Sequence, residues 1–188
     1  LSAIREQKKV VLTSYGYRRG KKQREVLPLK VALTTQSGRN YLMCYEFSAK
    51  RFLSCRIDSI ENVRVSETPY ASFRDKKQAL EERLKKTWGV YVDSSEKPEW
   101  LKVYISVREG EDYIVHRLQK EKRTGVLEKA GENLYCLSLE TYDLEEIRPW
   151  LRTFIGRIEK LECSQKSYVR RFFADIEEMK KLYGGEKL

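Results

Sequence analysis

The chain is poor in the residues that metal sites need. Its 188 residues include a single histidine and four cysteines, and no two cysteines stand in a CxxC pair. A structural zinc site takes four such ligands, usually in closely spaced pairs, so the sequence predicts no metal site. We expect buried, reduced thiols at Cys44, Cys55, Cys136 and Cys163.

Signatures of catalysis and of membrane insertion are missing as well. The sequence has no phosphate-binding loop, no GxSxG motif and no convincing carboxylate pair, and His116 has no evident triad partner. No apolar run approaches the roughly 18 residues of a membrane span, and no signal-peptide pattern opens the chain. We expect a cytoplasmic protein that is not an enzyme, needs no cofactor and does not contact a membrane.

Positive charge is abundant and unevenly distributed. The formal net charge is +10, which favours a phosphate-bearing partner. Residues 1–70 hold 14 Lys or Arg against 6 Asp or Glu, whereas the remainder holds 24 against 22. The excess therefore belongs almost entirely to the first third of the chain.

That first third has the pattern of a small all-β module. Short runs rich in β-branched and aromatic residues alternate with turn signals such as Ser37-Gly38, and Pro28 indicates an edge strand or a bulge. Five short strands bury their apolar faces best by curling, so we predict an SH3-like or Sm-like barrel over 1–68. The predicted strands are Val10–Tyr17, Val26–Thr35, Asn40–Phe47, Phe52–Ile57 and Ile60–Val65.

The rest of the chain has a different periodicity. Helical spacing from Ala71 to Trp88 predicts a connecting helix, followed by a linker at Ser94–Pro98; together they occupy 69–98. Residues 99–188 then read β-α-β-β-α-β, the split order of a ferredoxin-like domain, plus a terminal helix. The fold class is therefore α+β. The predicted elements are Trp100–Val107, Tyr113–Lys122, Val126–Lys129, Leu134–Leu139, Leu144–Ile155 with an Asp143 cap, Arg157–Cys163 and Gln165–Leu182.

The terminal helix carries one apolar stripe, at Tyr168, Phe172, Ile176, Met179 and Tyr183. Such a stripe packs either into the domain core or against a second copy of the chain. The sequence leaves both open, and a homodimer is the expected assembly.

Aromatic and basic residues are interleaved on the predicted strands of the first module. This is the composition of a surface on which bases stack while cations bind phosphate. Each residue also has a plainer interpretation: strand tyrosines are often half-buried core, the run Arg18–Arg24 is an ordinary solvated turn, and Arg56 pairs with Asp58 on the same strand face. The candidate ligand contacts are Tyr15, Tyr41, Tyr45, Arg18, Lys22, Arg39, Arg51 and Arg56.

Three short motifs, in this order and spacing, resemble a WYL domain, and the ferredoxin-like remainder resembles the C-terminal extension that commonly follows it. The motifs are Leu27-Pro28-Leu29, the run from Gly38 to Leu42, and the run from Cys55 to Ile60. Asn40-Tyr41-Leu42 stands where the family has Trp-Tyr-Leu, and Ser59 stands where a second arginine is usual. By the same resemblance, Ser14 matches a family position near the ligand pocket.

What the resemblance implies is a ligand-sensing regulatory module whose barrel binds a nucleic acid or nucleotide effector, usually behind an upstream DNA-binding domain. A second hypothesis is an accessory RNA-binding protein that acts with a CRISPR or other RNA-guided effector. A third, a nuclease on the same basic surface, lacks clustered acidic metal ligands.

Overall fold

The computed structural model describes residues 1–16, 20–34, 38–92 and 97–184. The chain divides into two compact units, Leu1–Glu96 and Lys97–Leu188. Within the described residues, antiparallel sheets of five and four strands combine with five helices, which confirms the α+β class.

The first unit is built on the five-stranded sheet. A short helix opens it and a longer helix follows its last strand. The elements are α1 (Ser2–Arg5), β1 (Lys8–Gly16), β2 (Gly20–Leu33), β3 (Asn40–Glu46), β4 (Arg51–Arg56), a 3₁₀ turn (Ile57–Ser59), β5 (Ile60–Pro69) and α2 (Phe73–Leu84).

Strand order in this sheet is β4-β3-β2-β1-β5, with every neighbouring pair antiparallel. A closed barrel requires a further ladder between β4 and β5. None joins these strands in the part of the chain that the structure describes. The five predicted strands are therefore confirmed, whereas their closure into a barrel is not.

Both faces of the sheet are buried, which explains why Val26, Leu27, Pro28 and Leu29 are all buried in succession. One face holds a cluster of Val10, Leu12, Val26, Leu42, Cys44, Leu53, Cys55 and Ala3 of α1. The opposite face packs Leu27, Leu29, Tyr41 and Met43 against Phe73 and Leu80 of α2 and against Val90 and Val92. The helix predicted as a connector therefore forms part of the first unit's core.

Two details of β2 differ from a simple alternating strand. Its register with β3 shifts between Pro28 and Lys30, so the bulge indicated by the proline is confirmed. The predicted turn at Arg18–Arg24 is shorter than expected, because β2 already begins at Gly20 and pairs with β1 from there. Gly20 has a φ of +65°, a backbone conformation that glycine adopts without strain.

The second unit has the predicted order of elements. They are β6 (Glu99–Ser106), α3 (Asp112–Glu121), β7 (Val126–Gly131), β8 (Leu134–Thr141), α4 (Arg148–Arg152), β9 (Ile158–Cys163) and α5 (Lys166–Tyr183). The antiparallel sheet has the order β7-β8-β6-β9. Leu101, Val103 and Ile105 are fully buried, whereas Trp100 is exposed, so only one face of β6 is buried in the core.

The predicted helix Leu144–Ile155 is much shorter in the structure. Only Arg148–Arg152 is helical, and Pro149 lies in its first turn. Proline is tolerated there but not in a helix interior, because it lacks an N–H donor and its ring clashes with the preceding turn. Asp143 accepts a hydrogen bond from the Glu145 amide at 2.8 Å, so it stabilises a turn ahead of the helix.

None of the four cysteines forms a disulfide in the described structure; Cys136 is half-buried and the others are buried. A hydrogen bond with Cys55, together with burial, raises the pKa of the Cys44 thiol well above its ordinary value. None of the described helices is long and apolar enough to cross a membrane.

Candidate ligand-binding site

A pocket of about 310 Å³ opens in the first unit between the β1–β2 hairpin and β4. Its described lining residues include three cationic side chains and no carboxylate, so we call it the basic pocket. Its lining residues are Ser14, Tyr15, Gly20, Lys22, Arg24, Tyr41, Leu53, Ser54, Cys55, Arg56, Ser59 and Tyr91.

One wall comes from β1 and β2. Ser14 lies directly opposite Lys22 in the antiparallel register. The Arg24 guanidinium donates a hydrogen bond from Nη1 to Ser14 Oγ at 3.1 Å. Residues 14, 22 and 24 therefore project to the same side of the hairpin, because side chains alternate along each strand.

Arg24 is oriented by a buried carboxylate. Its Nε lies 3.1 Å from Glu46 Oε1, and Arg51 Nε donates to Glu46 Oε2, also at 3.1 Å. Glu46 is only 6% exposed, so it needs both partners to offset its loss of hydration. The triad neutralises Glu46 and leaves one excess positive charge beside the pocket.

The facing wall comes from β3 and β4, where Tyr41 lies opposite Arg56. Arg56 makes a two-pronged ion pair with Asp58, Nε to Oδ1 at 2.9 Å and Nη2 to Oδ2 at 2.5 Å. This pair raises the pKa of Arg56 and lowers the pKa of Asp58. Ser59 donates a hydrogen bond to the Arg56 carbonyl at 2.7 Å and so stabilises the turn after β4.

The third side of the pocket comes from the segment after α2. Ser54 of β4 donates a hydrogen bond to the Val90 carbonyl at 2.6 Å and accepts one from the Val92 amide at 3.3 Å. Tyr91, between these two residues, lies at the pocket with its hydroxyl 3.2 Å from that of Tyr41. The two rings meet edge to face with centroids 5.6 Å apart.

The three cations of the pocket are not equally available. Arg24 is shared with Glu46 and Arg56 is paired with Asp58, whereas no described carboxylate pairs with the exposed Lys22. An anion entering the pocket would meet Lys22 first and would compete with Asp58 for Arg56. Serine hydroxyls and tyrosine rings complete a lining suited to a ligand that has a phosphate and a planar group.

The structure brings five of the sequence-predicted residues together, since Ser14, Tyr15, Lys22, Tyr41 and Arg56 all line the basic pocket. Their convergence follows from the register of β1 with β2 and of β3 with β4. The expected Arg56–Asp58 pairing is also present. Arg56 therefore both lines the pocket and forms an ion pair with its neighbour.

Three predicted residues lie elsewhere and one is outside the described residues. Tyr45 packs against Phe47 and Phe52 with its ring below Lys76 Nζ of α2, on the face that the helix covers. Arg51 is held by Glu46, and Arg39 is exposed in the turn before β3, where its amide bonds to Thr34. Arg18 falls in the segment that the structure does not describe.

Sequence reasoning missed seven described lining residues, which are Gly20, Arg24, Leu53, Ser54, Cys55, Ser59 and Tyr91. Arg24 lies at the end of the basic run that was assigned to a turn, and the alternation of 22, 24 and 26 on one strand face would have placed it. No local sequence signal marks Tyr91, because the segment after α2 reaches the pocket only through its tertiary contacts with the sheet.

A second pocket of the first unit has a different character. It measures about 520 Å³ and is lined by apolar side chains apart from Asn40. Several of them belong to the cluster inside the curled sheet, among them Ala3, Val10, Leu12 and Leu42. A charged ligand would lose hydration there without gaining a partner, so the basic pocket is the candidate site for an anion.

The described residues hold no group of three or more His, Cys, Asp or Glu side chains that could bind a metal ion.

The fold and the pocket define the first unit as a five-stranded antiparallel sheet with a cationic site. Residues 1–65 match the family model described as the WYL domain, which confirms the resemblance for that part of the chain. The match covers β1 to β4 and most of β5, and ends before α2 and Tyr91.

Solved structures with a similar fold are distant in sequence. The chain matches a structure titled as a CRISPR Cas-related protein with a TM-score of 0.65 and 16% identity, over 100% of this chain and 50% of that one. It also matches proteasome accessory factor B/C of Arthrobacter aurescens with a TM-score of 0.40 and 13% identity, over 97% of this chain and 26% of that one. The chain thus spans half or less of these proteins. No curated protein sequence matches it.

Proposed function

We propose that the chain is a ligand-sensing regulatory module whose basic pocket binds a nucleic acid, as a single strand, or a nucleotide effector. The observation that carries this proposal is the convergence of Lys22, Arg24 and Arg56 on one pocket, with no carboxylate among the pocket's described lining residues. The WYL match over residues 1–65 supports the regulatory part. Binding without catalysis is part of the proposal.

The finer architecture belongs to the same proposal. We infer a first unit related to the Sm and SH3 barrels, and a second unit of the ferredoxin-like type that corresponds to the extension found after WYL domains. The order β7-β8-β6-β9 with two intervening helices supports the second assignment. A cytoplasmic homodimer fused to an upstream DNA-binding domain completes the model of a transcriptional regulator.

The proposal is tested by titrating the protein with fluorescently labelled single-stranded DNA and RNA at low and moderate salt. Lys22→Ala and Arg56→Ala should each weaken binding on the order of tenfold, because each removes a charge-assisted contact to phosphate. Lys30→Ala is the matched control, since Lys30 is an exposed lysine of the same strand that does not line the pocket. Absence of binding at low salt, or equal losses in all three variants, contradicts the proposal.

A second candidate function is an accessory RNA-binding role beside an RNA-guided effector. It is favoured by the full-length match to the structure titled as CRISPR Cas-related, although similarity at 16% identity concerns the fold alone. The same titration separates the two candidates. Strong preference for RNA over DNA of equal sequence favours the accessory role, and equal affinity favours an effector-sensing module.

A further inference from the structure

We propose that Tyr91 is the residue that contacts the base of the ligand, so that the basic pocket takes one unpaired nucleotide. This inference rests on the proposed function and assigns a recognition role to a residue outside the WYL match, which ends at residue 65. The nucleotide is either free or the last one of a single strand.

Exposure distinguishes the two tyrosines that meet at the pocket. Tyr41 is 4% exposed and belongs to the core between the sheet and α2, so its ring has no surface left for a base. Tyr91 is 39% exposed and lines the pocket. Tyr41 therefore acts as a support whose hydroxyl contacts that of Tyr91, while Tyr91 presents the ring.

The backbone on both sides of Tyr91 is fixed. Ser54 bonds to Val90 and Val92, Arg83 Nε donates to the Val92 carbonyl at 2.5 Å, and both valine side chains are buried. A ring held in this way loses little conformational freedom when a base packs against it, which favours binding.

Tyr15 is the other exposed tyrosine among the pocket's lining residues, and strand alternation directs its side chain to the other side of the hairpin from Ser14 and Lys22. It is 53% exposed and lies near the end of the β1–β2 hairpin, opposite Lys21 in the register. In the described structure its side chain makes none of the hydrogen bonds or ring contacts that position Tyr91. We therefore expect Tyr15 to contribute less than Tyr91.

Charge and size define the rest of the ligand. Arg56 and Lys22 line the same pocket as Tyr91, so a phosphate bound by these cations lies within one pocket's width of the ring. A volume of about 310 Å³ is at the lower end of ligand pockets, which span about 300–1,000 Å³, and suits a ligand on the order of one nucleotide. A paired and stacked base has no free face for Tyr91, so duplexes should be excluded.

The test compares the affinities of the wild type, Tyr91→Ala and Tyr91→Leu for four probes. These are adenosine monophosphate, a short single strand of deoxyadenylates, a blunt duplex of two complementary strands, and inorganic pyrophosphate. Loss of a base–aromatic stack should weaken the two base-bearing, unpaired probes about 5- to 140-fold, and leave pyrophosphate binding unchanged. Leucine retains apolar bulk without an aromatic face, so it should lose affinity as alanine does.

Tyr15→Ala is the comparison within the pocket, and we expect a smaller loss from it. Tyr183→Ala, at an 81% exposed tyrosine of the second unit, controls for nonspecific effects. A competition experiment between adenosine monophosphate and the single strand distinguishes a free nucleotide from the end of a strand. The probe that binds more tightly identifies the class of ligand. Thermal unfolding of each variant reports whether the fold is retained.

Failure of this inference and failure of the proposed function give different results. If the wild type binds none of the four probes, the proposed function is wrong and this inference falls with it. If the wild type binds unpaired nucleotides and Tyr91→Leu binds them equally well, the pocket keeps its function and Tyr91 loses its role. Tighter binding of the duplex than of the single strand also overturns the inference.

Discussion

Arg56 is held by its neighbour rather than left open to a ligand. Both oxygens of Asp58 accept from its guanidinium, yet Arg56 and Asp58 side chains are 43% and 57% exposed. An exposed pair of this kind contributes little to stability, because water and salt screen it. Its main consequence concerns binding. An incoming phosphate must displace Asp58 from the Arg56 guanidinium or share that guanidinium with it.

We predict that Asp58→Asn tightens binding of a single-stranded oligonucleotide about two- to fivefold, by removing the competing negative charge at the pocket. The gain should shrink as salt is added, because screening already weakens the pair. Fluorescence anisotropy at two salt concentrations measures both effects. Glu61→Gln, which breaks the exposed Lys21–Glu61 pair of the same unit, is the matched control. Weaker binding by Asp58→Asn would show that the pair is needed to orient Arg56.

The tyrosines of β3 show what residue patterns reveal and what they hide. Tyr41 and Tyr45 were both predicted as ligand contacts; Tyr41 belongs to the core cluster under α2, and the partly buried Tyr45 packs against that cluster. The sequence could not indicate that α2 covers this face, because the position of a helix over a sheet depends on contacts between residues far apart in the chain. Arg56 was recognisable, since a charged residue in an apolar strand must reach a partner or solvent.

Among the elements of the second unit, the β7–β8 hairpin depends on a glycine. Gly125 precedes β7 with a φ of +90°, and a Cβ there would lie 2.6 Å from the Leu139 Cβ and closer still to the Ser138 carbonyl oxygen. The backbone of β8 thus passes directly over this residue. Neither the conformation nor the space suits any other amino acid.

We predict that Gly125→Ala destabilises the protein by about 1–3 kcal/mol, since both backbone strain and a clash are introduced. Gly110→Ala provides the control, because Gly110 has a similar φ of +79° with no atom within 4 Å of its Cβ. The difference between the two variants in urea unfolding measures the clash separately from the strain. Equal destabilisation of both would argue against close approach of β8.

An ion pair ties the start of α3 to the start of β9. Arg157 donates to Glu111 through Nη1 at 2.5 Å and Nη2 at 2.7 Å, and the Arg108 amide adds a third hydrogen bond at 3.0 Å. The Arg157 hydrogen bonds are the main reason why the pKa of Glu111 falls from 4.5 to about 2. The ionised carboxylate is therefore the form that stabilises the fold.

Because the pKa of Glu111 is lower in the folded than in the unfolded state, its contribution is complete above pH 4.5 and is lost as the pH falls towards 2. We predict that Glu111→Gln lowers the melting temperature at pH 7 and flattens its dependence on pH between 4.5 and 2. Glu109→Gln, an exposed glutamate of the same loop, should leave that dependence unchanged. Parallel pH profiles for Glu111→Gln and the wild type would contradict the assignment.

Over the whole molecule, the order of helices and strands was largely predictable from the sequence. Whether the five-stranded sheet closes into a barrel was not. Alternation and turn residues placed all five strands of the first unit and the β-α-β-β-α-β order of the second. Whether β4 and β5 meet depends on sheet twist and curl, which no short pattern encodes. The predicted helix over 144–155 was mostly wrong. The apolar spacing suggested a long helix, but only Arg148–Arg152 is helical, with Pro149 in its first turn.

Because positive charge is concentrated in the first unit, we predict that the affinity for an oligonucleotide depends on salt concentration. Lys22, Arg24 and Arg56 are the described cations of the basic pocket, and neutralising between one and three phosphates of a single strand corresponds to a log–log salt slope of about −0.7 to −2. Titration of a short oligonucleotide across several salt concentrations measures it. A slope near zero would indicate that apolar contacts rather than phosphate contacts carry the affinity.

Finally, the Ser54 hydrogen bonds to Val90 and Val92 mean that the pocket and the family domain have different boundaries. A fragment cut where the WYL match ends would lose one wall of the pocket and would expose the sheet face that α2 covers. Two chains equally similar over their first 65 residues would also differ in ligand preference if their later segments differ. Grafting and dissection of such modules should therefore extend through residue 92.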